Sequence, residues 1–236
     1  MIAGYRITRP EEAGRFKAGR LAQISVYHGM DGNLERVKDC ALACRRISLP
    51  YVIHPVNYSL LDPTPQTFLD LKAMTGWSDL GFILHDEAGP DWGRVTGSQE
   101  AVLAGKIKEL ESLAPVSFED AVNVKDVIWF WEKFARSVTL DIGHLEAAGI
   151  NSVEYVKTLP DEIVRKIDYS HMHRNHTFRH GLTDHWPLVA GCRELAALKE
   201  LLIRKPDVKV ILELNEEGVD GSLALIYALE DELRVF

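Results

Sequence analysis

The chain has 236 residues, 46% of them hydrophobic, with a formal net charge of −8 and a pI near 5.6. That suffices for one domain with a sizeable core, and the acidic balance gives no chain-wide attraction to phosphate backbones, which disfavours nucleic acid although a local basic patch stays open. No run of about 18 uncharged apolar residues occurs and the opening MIAGYRITRPEEAGRFK lacks an apolar signal core, so neither membrane insertion nor secretion is expected, and cytosol is the expected location.

Short apolar runs alternate with longer segments of helical period along the whole chain. IAGYRIT (2–8) reads as a strand and is followed by a short helix near 10–20. LAQISVYH (21–28) precedes a helix over 33–48, PYVIHPV (50–56) a helix over 64–75, and LGFILHD (80–86) a helix over 97–113. PVSFEDA (115–121) precedes a helix over 123–135, VTLDIG (138–143) one over 151–166, IDYSHMH (167–173) one over 191–204, and VKVILELN (208–215) one over 220–234. This rhythm predicts an α/β fold, a compact (β/α)8 TIM barrel in a single domain over 1–236 with a short first helix; a seven-stranded or incomplete barrel is the alternative. Cys40, Cys44 and Cys192 lack CxxC spacing and read as buried thiols.

The strand ends carry the chemistry. His54, His85, Glu119, Asp141 with His144, His171, His185 and Glu213 each close or follow an apolar run. Period-2 alternation lets parallel strands aim one such side chain each into a shared mouth. Imidazoles mixed with carboxylates suit Zn²⁺, Mn²⁺ or Fe²⁺ better than Ca²⁺. An isolated DxxH such as Asp141 and His144 more often ties a loop, but here other strand ends repeat the pattern. Glu119 and Glu213 lie in otherwise apolar strands, where an unpaired carboxylate costs several kcal/mol on burial, so each needs a cation or proton. Asp120 is expected to cap the next helix or to be solvated. His171 and His185 are the favoured ligands of the histidine-rich YSHMHRNH and TDHWPL segments. His173 either ligates or donates a hydrogen bond to a ligand, and His176 and His180 read as loop residues. Trp129, Phe130, Trp131 and Phe134 in IWFWEKF read as helix packing on the barrel. Trp92, Trp186, Tyr27 and His28 are candidate mouth residues, and Arg94, Arg174 and Arg179 are candidate phosphate clamps.

These segments resemble the xylose isomerase-like TIM barrels, a superfamily of sugar phosphate isomerases and epimerases, dehydratases and endonuclease IV-type nucleases. Over roughly 50 to 215, VIHPVNYSLLD is similar to a HAPY-type segment, FILHDEAG to the fourth-strand histidine segment, and SFED to the fifth-strand glutamate. DIGHLEAAG is similar to DTGHxxxAG, SHMHRN to HxHDN or HLND, TDHWPL to DxHxPLG, and LELN to the final-strand glutamate. Thr183 stands where the family has aspartate, with Asp184 displaced by one, and Arg174 replaces an acidic residue. The resemblance implies metal ligation by His54, His85, Glu119, Asp141, His144, His171, His185 and Glu213, with one to three Zn²⁺ or Mn²⁺ ions. Asp184, His173, Arg174 and Trp186 would then sit behind the ligands or touch substrate.

Two chemistries follow from it. In the isomerase or epimerase branch, Glu119 and Glu213 act as base and acid on a small sugar or sugar phosphate beside one ion. In the endonuclease IV-like branch, the extra histidines complete a multi-zinc phosphodiesterase acting on abasic-site DNA. The small-molecule branch is favoured because the chain is small, acidic and lacks clustered Lys or Arg near the site. A third reading is a barrel that binds metal or ligand without catalysis. A homo-oligomer is compatible with all three.

Overall fold

The computed structural model describes residues 1–121, 125–178, 181–215 and 217–234, the side chains of 176–184 excepted. Eight parallel strands close a barrel: β1 Ile2–Ile7, β2 Ala22–Tyr27, β3 Tyr51–Val56, β4 Phe82–His85, β5 Val116–Glu119, β6 Ser137–Asp141, β7 Ile167–Met172 and β10 Lys209–Leu212, the last pairing back to β1. The expected eight-stranded barrel is therefore the observed one. Between β7 and β10 lies an antiparallel hairpin, β8 Arg174–Phe178 and β9 Gly181–Trp186. The helices are α1 Asn33–Arg46, α2 Pro65–Thr75, α3 Ser98–Glu111, α4 Val127–Phe134, α5 Ile142–Ala147, α6 Ser152–Thr158, α7 Asp161–Lys166, α8 Arg193–Arg204 and α9 Val219–Arg234. No helix among the described residues is long and apolar enough to cross a membrane.

Three local departures have physical reasons. The first helix, expected over 10–20, is only a 3₁₀ turn, Pro10–Glu12, because Gly14 follows with a left-handed φ of 74°. The helix expected over 151–166 is two, since Pro160 forces Leu159 to an extended φ of −55° and ψ of 134° and so separates α6 from α7. The hairpin took the place of a loop: His176 and Thr183 pair across it in backbone register.

Helices pack outside the barrel as amphipathic layers. Trp131 of α4 is buried and donates its indole N–H to the Phe118 carbonyl at 3.1 Å, confirming the IWFWEKF face as packing. Cys40 and Cys44 are buried on α1, and burial pushes both thiols up to about 12, so they behave as small hydrophobes; Cys192 is half-buried.

Inside the barrel, one end is an apolar plug of Leu21, Val52, Ile83, Tyr169 and Ile211. Gly4 is required beside it, because a Cβ there would stand 2.2 Å from the Leu21 carbonyl oxygen. One strand step above the plug, on the same inward faces, stand Gln23, His54, His85, His171 and Glu213. Parallel register sets them level: His85 is opposite Glu119, and Asp141 is opposite His171.

Candidate metal centre

The barrel mouth gathers three groups of side chains, each with ligand atoms within 4.8 Å of one another: His54, His85 and Glu119; Glu119, Asp141, His171 and Glu213; and Asp141, His144 and His173. Glu119 belongs to two of them and Asp141 to two. Most of these residues end a strand or lie just past one, so each side chain is fixed by the barrel ladder rather than by a mobile loop.

The groups are buried without the partners burial demands. Both oxygens of Glu119, Oδ2 of Asp141, Nδ1 of His171 and Nε2 of His173 make no hydrogen bond, although their residues are 0% exposed. Yet Glu119 Oε1 lies 3.2 Å from His171 Nδ1, and Glu119 Oε2 lies 3.3 Å from His54 Nε2. Such converging orphans fit a divalent cation, whose charge replaces the lost hydration.

Histidine tautomers support the same fit. His54 Nδ1 is 2.9 Å from the Ile83 carbonyl, which accepts only if Nδ1 carries the proton, leaving Nε2 bare toward the carboxylates. His171 Nε2 lies 2.7 Å from Gln23 Oε1, and Gln23 Nε2 also donates to Glu213 Oε1. With that amide orientation His171 presents Nδ1 to Glu119 and Asp141. Gln23 is a site residue that the sequence reading missed; its signal was a long polar side chain on the inward face of the apolar LAQISVYH strand.

Without an ion, protons stand in for it. Burial would lower His171, but Glu119 and Glu213 outweigh it and raise the imidazole to about 10. Burial would raise Glu119 and Glu213, but His171 above all holds both carboxyls below their usual range. Burial would likewise raise Asp141, and His144 and His173 hold it low. His85 is the exception, lowered to about 4 chiefly by burial, and is neutral and ready to ligate.

The expected residues divide clearly. His54, His85, Glu119, Asp141, His144, His171 and Glu213 are brought together. His185 stands beside them, with Nε2 3.4 Å from Glu213 Oε2, at a left-handed φ of 60°. Asp141 also performs the ordinary capping role: its Oδ1 accepts the His144 N–H at 2.8 Å at the start of α5, so capping and site geometry coexist. Asp120 contradicts its expectation of capping or solvation. It is 0% exposed, its Oδ1 accepts the Asp141 N–H at 2.6 Å, and burial with Asp141 nearby raises it well above the carboxylate range.

Away from the centre, His28 is tied to Thr67 at 3.2 Å, not to the ligand groups. Tyr27 is half-buried and its hydroxyl accepts from Arg6 Nη1 at 3.5 Å. Arg94 is no free clamp, since Asp126 holds it at 2.7 and 3.0 Å. Trp186 is partly exposed at the end of β9, and Arg174 is half-buried at the start of β8. Arg179 and His180 lie outside the described residues, as do the side chains of His176, Thr183 and Asp184. Beside His85 opens a cleft of about 400 Å³, lined by Asn57, Tyr58, Ser59, Asp86, Glu87 and Trp92 among others.

No protein-family model matches the chain, and no curated protein matches it. Solved structures do. A xylose isomerase-like TIM barrel/4-hydroxyphenylpyruvate dioxygenase fusion protein superposes with a TM-score of 0.63 at 16% identity, over 100% of this chain and 44% of that one. SacUVDE gives 0.61 at 13% identity over 100% of both chains, and 2,3-dimethylmalate lyase 0.53 at 11% over 100% and 92%. The present chain thus spans less than half of the fusion protein. At these identities the likeness is one of fold, a closed (β/α)8 barrel, and one of the proteins that shares it is a fusion containing a xylose isomerase-like TIM barrel.

Proposed function

We propose that the protein is a divalent-metal enzyme acting on a small, unphosphorylated sugar by isomerase- or epimerase-type proton transfer. The observation that carries the metal reading is the set of orphaned, buried ligand atoms meeting around Glu119. Glu119, Asp141, His171 and Glu213 would hold the principal ion, with Zn²⁺ or Mn²⁺ best suited to this mixed nitrogen and oxygen set. Bound there, the ion supplies Lewis acidity that polarises neighbouring carbonyl and hydroxyl oxygens of a sugar.

The chain's own residues supply the rest. Glu119 and Glu213 are both held below the ordinary carboxylate range, so both are ionised at neutral pH and can accept a proton from a substrate carbon. They project from β5 and from just past β10, so one can remove the proton and the other return one to the adjacent carbon. Gln23 fixes Glu213 and His171 through its two amide atoms and keeps both in place between turnovers. Among the described residues, the cleft beside His85 is lined by Asp86 and Asp91, with no lysine or arginine, which suits hydroxyl groups and disfavours phosphate. Trp92, 72% exposed at its rim, offers a ring face to the C–H side of a sugar.

A second reading rests on a specific observation. Sharing of Glu119 and Asp141 among three groups is what a cluster of ions needs, and a multi-zinc phosphodiesterase uses such a cluster. Plasma mass spectrometry of the purified protein, beside Glu213→Ala and His85→Ala, separates the two. One equivalent insensitive to His85→Ala, with turnover of free aldoses or ketoses, supports the sugar reading. Two or three equivalents, with His85→Ala losing about one and cleavage of abasic-site DNA, overturns it. Absence of metal under every loading condition sinks both.

A further inference from the structure

Strand β1 brings a cation to the mouth where its neighbours bring ligand groups. Gly4 pairs with Ile211 of the plug, so strand alternation turns Arg6 inward as well, in register with Gln23 of β2. Tyr5 pairs with Leu212 of β10, which sets Arg6 level with Glu213. Neighbouring strands lie about 4.8 Å apart, so Arg6 and Glu213 border the same small volume.

The half-buried Arg6 has no counter-ion among the described residues. A guanidinium carries several N–H donors, yet Arg6 makes two bonds, both to neutral oxygens: Nη1 donates to the Tyr27 hydroxyl at 3.5 Å and Nη2 to Asn215 Oδ1 at 3.2 Å. Glu213, the carboxylate level with it, gives Oε1 to Gln23 and turns Oε2 toward His185. Asn215 must present its oxygen to Arg6, because a guanidinium only donates, so its amide hydrogens are left for an acceptor beside Arg6.

Arg6 and Asn215 line a cavity of about 310 Å³ together with Thr8, Arg9 and Glu12. Arg9 is engaged by Glu12 at 2.8 Å and by Glu11 at 3.6 Å. Glu12 also accepts the Thr8 N–H at 2.7 Å. Arg9 and Glu12 cancel, and Arg6 leaves the cavity with one net positive charge.

We propose that this cavity is an anion subsite, in which Arg6 and the Asn215 amide take the carboxylate of a sugar acid such as a uronate. A carboxylate is planar and singly charged, which matches one guanidinium fork and one net charge. A phosphate dianion exceeds that charge and meets the buried Glu12 carboxylate as well. That the rest of the ligand is a sugar rests on the metal-enzyme reading above; the subsite rests on the cavity and its charge alone.

The test is calorimetric binding to ion-free and zinc-loaded protein, with D-glucuronate, D-galacturonate, D-glucose, D-galactose and the two hexose 6-phosphates as probes. The expected result is uronate binding about ten- to a hundredfold tighter than that of the neutral sugars. Arg6→Gln is expected to abolish that preference and leave neutral sugars unaffected, and Arg6→Lys, which keeps the charge and loses the fork, to retain part of it. Thermal melts establish that each variant is folded. If Arg6→Gln does not fold, Asn215→Leu decides instead, with uronate binding weakened about two- to tenfold.

Uronates bound no tighter than neutral sugars, 6-phosphates bound tighter than uronates, or uronate binding unchanged in the folded variant each overturns the proposal, as does a parent chain that binds no uronate. Uronate binding that needs Arg6, in a protein that takes up no ion under any loading condition, would sink the metal reading and leave the subsite standing. Metal uptake with turnover of neutral sugars and no preference for uronates would do the reverse.

Discussion

The floor and the mouth of this barrel are built on the same strands, two residues apart. Leu21, Val52, Ile83, Tyr169 and Ile211 form the apolar plug, and Gln23, His54, His85, His171 and Glu213 stand one inward step above them. The floor gains from burial, since each side chain removes apolar surface from water and finds close neighbours. The mouth buries Glu119, Asp141 and His171 with polar atoms that lack hydrogen-bond partners, an arrangement that is unfavourable unless a proton or a cation balances it. If the mouth is the site proposed above, stability and function are separated along the barrel axis at a resolution of two residues, and substitutions in the two layers should have separable effects.

The largest effect expected is that of Glu119→Ala. It removes the one carboxylate common to the His54–His85 group and the four-residue group, so metal content should fall by at least one equivalent and turnover to background. Retention of full metal content would show that Glu119 is not shared. The floor counterpart is Ile83→Ala, which should destabilise the ion-free protein by about 2–5 kcal/mol in urea titration through the cavity it leaves. Its metal content should be unchanged. A floor variant that loses metal, or equal stability losses in both layers, would break the separation.

Proton linkage separates the layers again. His171 is raised from 6.5 to about 10 by its carboxylate neighbours despite burial. A raised imidazole contributes stability fully below its unfolded value and loses it as pH climbs toward the folded one. The urea midpoint of ion-free protein should therefore fall between pH 7 and 9. His171→Gln should flatten that slope, while Ile83→Ala should lower the whole curve and leave the slope intact. Ion binding needs His171 neutral, so loading at pH 7 should release a proton, seen as a buffer-dependent heat in calorimetry.

How much of this was legible in the sequence follows from which physics is local. Short apolar runs placed every barrel strand, and the His, Glu and Asp residues at or just past six of them placed seven mouth residues now found in the three groups, because alternation and strand length are written in adjacent residues. What the sequence hid depends on contacts across strands. Gln23 reads as a lone polar residue until β7 and β10 bring His171 and Glu213 to its amide. Asp120 reads as a cap until β6 is beside it and the Asp141 N–H needs an acceptor. Helix α5 was concealed because Asp141 both ends β6 and caps the helix, so one residue served two elements. The tie from the His185 amide to His173 Nδ1 was hidden for the same reason: the two residues are 12 positions apart and meet only because β9 folds back.

Gln23 offers the smallest and sharpest test, because Gln23→Leu extends the floor by one layer into the mouth. Leucine is close in volume and stays apolar on the inward face of β2, so folding should survive. A buried amide is exchanged for hydrocarbon, but buried Glu213 and His171 are left without its hydrogen bonds, so the ion-free protein should lose about 1–3 kcal/mol in urea titration. What is lost is orientation: Glu213 no longer receives the amide proton and His171 Nε2 no longer has its acceptor. His171 can then turn or bind its proton on the wrong nitrogen, and metal affinity by chelator competition should weaken about ten- to a hundredfold with the ion count at saturation unchanged. Because floor packing is kept and only the aim of two ligands is released, unchanged affinity would mean that the strands alone position the ligands. Weakened affinity with an unchanged ion count and only that modest loss of stability would place the boundary between the two layers at the side chain of residue 23.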